Sequence, residues 1–125
     1  MEAQVADFKR LKVWEAGHRL SVDIYSLVKT LPRDELYGLR SQMTRAAGSI
    51  PGNFAEGVGR GTDGDLSRFL DIAMGSATEL ECHVLRARDL KLVAPEPAAA
   101  FLRQVDEVQK MLVGLRRRVR QRRER

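Results

Sequence analysis

The sequence predicts an all-α chain: an antiparallel, up-down-up-down four-helix bundle that assembles as a homo-oligomer. Three observations carry this. Apolar residues recur at alternating steps of three and four, with no sustained alternation of period two. Prolines and glycines cut the pattern into four runs joined by short breaks, which favours antiparallel neighbours. The third run also has apolar or small residues off its main stripe (Phe69, Ile72, Gly75, Ser76, Cys82, Leu85), and a helix apolar on more than one side has more than one neighbour.

The first helix is expected over about residues 13–31, on Trp14, Gly17, Leu20, Ile24, Leu27 and Leu31. Pro32 ends it, because proline lacks the N–H and crowds the preceding turn. Asp34 is placed as the N-cap of the second helix, with Glu35 suited to its positive end. That helix, about residues 35–58, reads Leu36, Leu39, Met43, Ala46, Ile50 and Phe54, and Pro51 inside it is expected to kink or loosen it. Gly57, Gly59 and Gly61 mark its end. Asp63 or Asp65 caps a third helix over about 64–91, on Leu66, Leu70, Ala73, Ala77, Leu80, Val84 and Ala87. Val93 to Pro97 forms the last break. The fourth helix, about 97–120, reads Phe101, Val105, Val108, Leu112, Leu115 and Val119. The first dozen residues show no clear period, and no internal repeat is visible.

Composition narrows the class. A chain of 125 residues fits one domain with a core of its own, and 43% apolar with 31% charged residues describes a globular protein. No apolar run approaches the roughly 18 residues that cross a bilayer. No basic stretch followed by an apolar segment follows Met1, so no secretory signal is expected. A single cysteine, Cys82, excludes an internal disulfide framework and suits a reducing cytoplasm. The net charge of +5 is unevenly placed. Residues 1–110 carry 15 Lys and Arg against 16 Asp and Glu, whereas residues 111–125 carry seven Arg against Glu124 alone. The basic character belongs to the end of the chain, 116–125.

The segment from Glu35 to Gly57, ELYGLRSQMTRAAGSIPGNFAEG, has a composition unusual for a helix. It resembles the signature of the bacterial four-helix-bundle family named after proteins encoded in intervening sequences of large-subunit ribosomal RNA. Leu11-Lys12-Val13-Trp14, the stretch from Arg68 to Ser76, and Glu79-Leu80-Glu81 agree, so the similarity runs from about Phe8 to Leu92. The resemblance implies a homopentamer of four-helix bundles with no enzymatic activity. The family is related to the accessory proteins of diversity-generating retroelements, basic pentameric barrels that bind nucleic acid and a reverse transcriptase. Here the body of the chain is nearly neutral, which departs from that subgroup.

Two sets of residues are candidates for function. Gln42, Arg45, Ser49, Asn53, Glu56 and Arg60 follow steps of three or four along the second helix, and Glu79, His83 and Arg86 do so on the third. These two polar stripes predict either a hydrogen-bonded seam between subunits, with Arg45 and Arg86 paired to Glu56 or Glu79, or an exposed, solvated face. Arg116, Arg117, Arg118, Arg120, Arg122, Arg123 and Arg125 continue the register of the fourth helix. They read as phosphate contacts, since Arg offers a planar fork of donors, or as a solubilising end. No aromatic residue lies among them to stack on bases, so any binding is expected to be salt-sensitive and weakly sequence-selective.

Metal, cofactor and catalytic sites are not expected. Glu15 and His18 have the Glu-x-x-His spacing of a di-iron bundle, but only once. Cys82 and His83 adjoin, yet neighbours in a helix point about 100° apart, and Cys82 is expected to be buried or interfacial. Gly57-x-Gly59-x-Gly61 has no following Lys-Ser/Thr and no preceding strand, so it reads as a helix-ending turn rather than a phosphate loop. The sequence therefore points to a non-enzymatic oligomeric scaffold or adaptor in the cytoplasm that binds itself and RNA or DNA. The competing reading is a protein–protein interaction module without nucleic acid and without a membrane.

Overall fold

The computed structural model describes Phe8 and residues 11–35 and 38–123. Among them are four α-helices and no strand: α1 (Lys12–Val28), α2 (Leu39–Arg60), α3 (Asp63–Asp89) and α4 (Pro95–Arg123). A short 3-10 turn, Arg33–Glu35, precedes α2. Each helix packs on its neighbour in sequence, and α4 returns to α1, so the four close around one core. That core is filled from every helix: Leu20 and Ile24 of α1, Met43, Ile50 and Phe54 of α2, Leu70, Leu80 and Val84 of α3, and Val105, Val108, Leu112 and Val119 of α4. Burying each such side chain contributes about 1.5–3 kcal/mol.

The core, and not local propensity, makes α2 a helix. It contains Gly48, Gly52, Gly57 and Gly59 besides Pro51, and each internal glycine costs about 1 kcal/mol relative to Ala. The helix nevertheless runs unbroken through Pro51, whose ring is buried. The neighbouring helix makes room for it: a Cβ placed on Gly17 of α1 would lie 3.8 Å from Pro51 Cβ and 3.2 Å from Ile50 Cγ2. Gly57 allows a second close approach, since a Cβ there would sit 2.8 Å from Phe69 Cβ and 3.3 Å from Leu66 Cα. Gly57 is thus a packing residue inside α2, and only Gly61, at φ 84°, ends the helix in the left-handed region.

The helix ends differ from the sequence reading for local reasons. α1 stops at Val28, and Thr30 N–H and Leu31 N–H then bond to Leu27 and Val28 carbonyls in a tightened turn ahead of Pro32. Asp34 lies in the 3-10 turn and is not the N-cap residue of α2. Glu35 Oε1 instead accepts from Leu39 N–H at 3.3 Å, and Gly38 is the N-cap residue. Leu36 and Tyr37 lie outside the described residues. The cap of α3 is neither Asp63 nor Asp65 but Thr62, whose hydroxyl accepts from Asp65 N–H at 3.1 Å. Both aspartates occupy the first turn, where they face the positive end of the helix dipole. Pro95 and Pro97 open α4 instead of preceding it, because N–H groups in the first turn have no partner to lose.

Among the described residues, no helix is long and apolar enough to cross a membrane.

Candidate nucleic-acid interface

The arginine-rich end is not an arm appended to the bundle. Val119 is completely buried and Leu115 half-buried, so the core holds α4 through the arginine run and the helix continues to Arg123. The arginines therefore project from fixed positions on a helix, and they fall into two sets. Arg116 Nη1 donates to Asp71 Oδ1 at 3.0 Å, and Arg120 Nη2 reaches both oxygens of the same carboxylate at 3.3 and 3.1 Å. Arg122 makes a two-pronged pair with Asp63, Nη2 to Oδ1 at 2.9 Å and Nε to Oδ2 at 3.1 Å. Arg117, Arg118 and Arg123 make no ion pair among the described residues. Arg125 lies outside them.

Electrostatics follow this division. Hydrogen bonding from Arg122 holds the Asp63 carboxyl below the ordinary carboxylate range, against a smaller upward push from burial and with the charges of Arg122 and Arg123 adding to the lowering. The same hydrogen bond raises Arg122 above its ordinary value. Two further arginines lie at this end of the bundle. Arg60, at the end of α2, and Arg68, near the start of α3, stand 5.2 and 4.6 Å over the ring of buried Phe69. Sequence reading placed Arg60 in the polar stripe and did not single out Arg68, Asp63 or Asp71 as part of a charged site. The signal was the i,i+4 spacing of Arg116 and Arg120, which aims both at one point on a neighbouring helix.

The α2 stripe bonds to α3 at one place, through Ser76, outside the α3 stripe. Ser49 Oγ and Ser76 Oγ are 2.8 Å apart and join α2 to α3, and Asn53 Nδ2 donates to Ser49 Oγ at 2.7 Å and to its carbonyl at 2.8 Å. The carboxylates find partners on their own helices: Glu56 accepts from Arg60 Nε at 3.0 Å, and Glu79 lies 3.1 Å from His83 Nε2. Arg45 reaches Ser41 Oγ at 3.4 Å, and Gln42 and Arg86 are exposed. Within one chain, then, Arg45 and Arg86 pair with neither Glu56 nor Glu79. His83 is buried, and its Nδ1 has no hydrogen-bond partner.

Of the residues off the main stripe of α3, Phe69 is buried and Ser76 and Leu85 are half-buried. Ile72, Gly75 and Cys82 remain on its surface. Cys82, expected to be buried or interfacial, is thus exposed on the single chain, while His83 beside it turns inward. His18 stacks on Trp14 at 4.5 Å. Among the described residues no group of three or more His, Cys, Asp or Glu could hold a metal ion. An open groove between α1 and α4 is lined by Asp23, Ser26, Leu27, Ala100, Phe101 and Gln104, and its two polar walls bond to each other, Gln104 Nε2 to Asp23 Oδ2 at 3.0 Å.

The family model of the 23S rRNA-intervening sequence protein matches residues 9–114. The chain belongs to this family. Another protein with the same fold is a Bacteroides thetaiotaomicron VPI-5482 protein of unknown function from the S23 ribosomal protein family. It superposes with a TM-score of 0.79 at 22% identity, over 84% of this chain and 95% of that one. At that identity the likeness concerns the fold. A search of the curated proteins finds no match. The intervening-sequence family match stops at residue 114, so the clustered arginines from Arg116 onward lie beyond it.

Proposed function

We propose that the protein is a non-enzymatic, oligomeric scaffold that binds RNA or DNA through the arginine-rich end of α4. The observation that carries this is that α4 stays helical and anchored by Val119 through its arginine-rich end, so that Arg117, Arg118 and Arg123 project from different sides of an ordered helix, with Arg60 and Arg68 at the same end of the bundle. Phosphate oxygens suit guanidinium groups, whose planar donor forks lose less freedom per hydrogen bond formed than an ammonium does, and the ordered helix removes the backbone share of the cost.

The bundle is read as antiparallel, up-down-up-down. The cross-helix pairs support this: Asp63 with Arg122, Asp71 with Arg116 and Arg120, and Glu81 with Gln109 run in opposite order along α3 and α4. Assembly into a homo-oligomer, a pentamer by the family resemblance, would use the α2–α3 surface. There Gln42, Arg45, Glu79 and Arg86 lie around bare Gly52 and Gly75. Several copies of the arginine end in one particle would multiply phosphate contacts by avidity.

The test replaces Arg117, Arg118 and Arg123 together with Gln in the full chain. Truncation at Leu115 would also remove the buried Val119. Labelled structured RNA, single-stranded DNA and duplex DNA are titrated at low and near-physiological salt. Binding that weakens steeply with salt and falls in the triple variant is the expected result. No binding by the unaltered chain at low salt would overturn the proposal and leave a protein–protein interaction module as the reading.

A further inference from the structure

Three arginines of α4 are already held by carboxylates of another helix, while Arg60 and Arg68 pair within their own helices, with Glu56 and Asp65. Asp71 is bridged by Arg116 and Arg120, one helical turn apart on α4, and Asp63 receives both prongs of Arg122. These carboxylates lie where a phosphate would lie: a pair of oxygens met by a planar fork of N–H donors, at 2.9–3.3 Å. All five side chains stay partly open to solvent, Asp63 at 40% and Asp71 at 47%, so an incoming polyanion can reach the pairs and exchange for them.

The pairs are not what holds the helix. Exposed ion pairs contribute about 0.2–1 kcal/mol each, whereas α4 is fixed at this level by the wholly buried Val119 and by Leu115. An arrangement that adds little to the fold but neutralises three of the basic residues acts chiefly on what the surface can bind.

Resting on the nucleic-acid reading above, we infer that Asp63 and Asp71 are internal competitors for nucleic-acid phosphate. They hold Arg116, Arg120 and Arg122 in reserve, so that Arg117, Arg118 and Arg123 make the first contact. The two carboxylates keep the surface weakly binding for isolated or short polyanions. A long or densely charged nucleic acid that engages the open arginines raises the local phosphate concentration enough to displace them.

The test is a cycle in the full chain: Asp63→Asn and Asp71→Asn, singly and together, and Asp71→Asn combined with Arg116→Gln and Arg120→Gln. Binding to a short labelled RNA duplex is read by fluorescence anisotropy across a salt series, with far-ultraviolet circular dichroism confirming the helix content of each variant. The expected result is tighter binding at low salt, by about 1.4- to fivefold for each aspartate replaced, the range set by exposed ion pairs. The dependence of log affinity on log salt steepens by about 0.9 for each arginine released to a phosphate. The gain from Asp71→Asn disappears in the combined variant. If the unaltered chain binds through Arg117, Arg118 and Arg123 but the asparagine variants bind no more tightly, the competitor role is overturned and the nucleic-acid reading stands. If neither the chain nor any asparagine variant binds at low salt, both fall. The two aspartates lie on different turns of α3, so should one variant lose helix content, the other still decides the matter.

Discussion

Arg122 lays its guanidinium flat along the Asp63 carboxylate, Nη2 on one oxygen at 2.9 Å and Nε on the other at 3.1 Å, and so ties the last turns of α4 to the first turn of α3. The pair joins two helix ends that lie almost sixty residues apart in sequence. Its consequence for acid behaviour follows from sign. Asp63 is held below the ordinary carboxylate range chiefly by the Arg122 hydrogen bonds, so the contribution of the pair is present at neutral pH. It is lost only as pH falls through the depressed value of the folded state. Carbon-detected NMR titration should find Asp63 ionising below the ordinary value of about 3.9, and Arg122→Gln should move it upward. An unchanged midpoint in the variant would mean that the pair does not form in solution.

The close approach at Gly57 sets a second expectation. A methyl group there would meet Phe69 Cβ and the Leu66 backbone, neither of which is the end of a flexible side chain. Gly57→Ala should therefore destabilise the chain by about 1–3 kcal/mol, even though Ala is the better helix former. Urea unfolding checks it. A variant as stable as the parent would mean that α2 and α3 stand further apart at this level.

How much of this was readable beforehand depends on which residues packing decides. The apolar stripes of all four helices follow the 3.6 period, and Leu20, Ile24, Leu70, Leu80, Leu112 and Val119 are buried as that period demands. Pro51 was expected to kink or loosen α2, because the sequence does not show that Gly17 on another helix opens room for its ring. Asp63 read as a cap candidate, and Asp71 was not singled out. Their arginine partners lie 45 to 59 positions away, and only the fold brings them together. The basic end was legible as charge, but its division into held and open arginines was not.

Lys91 follows the end of α3 at φ 63°, the only non-glycine residue among those described with a positive φ. It turns the chain so that Leu92 N–H reaches the Ala87 carbonyl at 2.9 Å, the arrangement in which glycine is usually found. Side chains in this region cost roughly 1–2 kcal/mol, while a glycine adds about 0.4–1 kcal/mol of freedom to the unfolded chain. Lys91→Gly should stabilise the protein by about 0.5–1 kcal/mol, measured as a rise in the urea midpoint at constant slope. A fall in the midpoint would mean that the Lys91 side chain contributes more than its backbone strain costs.

The α2–α3 surface offers the sharpest test of assembly. Gly52 and Gly75 each have open space where a Cβ would go, with nothing within 4 Å. In an isolated chain, replacing either with Ala should raise stability by about 0.5–1 kcal/mol through helix propensity alone. In an oligomer that brings another backbone against these bare positions, the same methyl group would hold the subunits apart. Sedimentation velocity and urea unfolding on Gly52→Ala and Gly75→Ala separate the two cases. Under the proposed assembly, the variants should dissociate more readily on dilution while their lone chains unfold at higher urea. Unchanged sedimentation with higher stability would place these glycines on a free face, and the oligomer, if one forms, would have to use another surface.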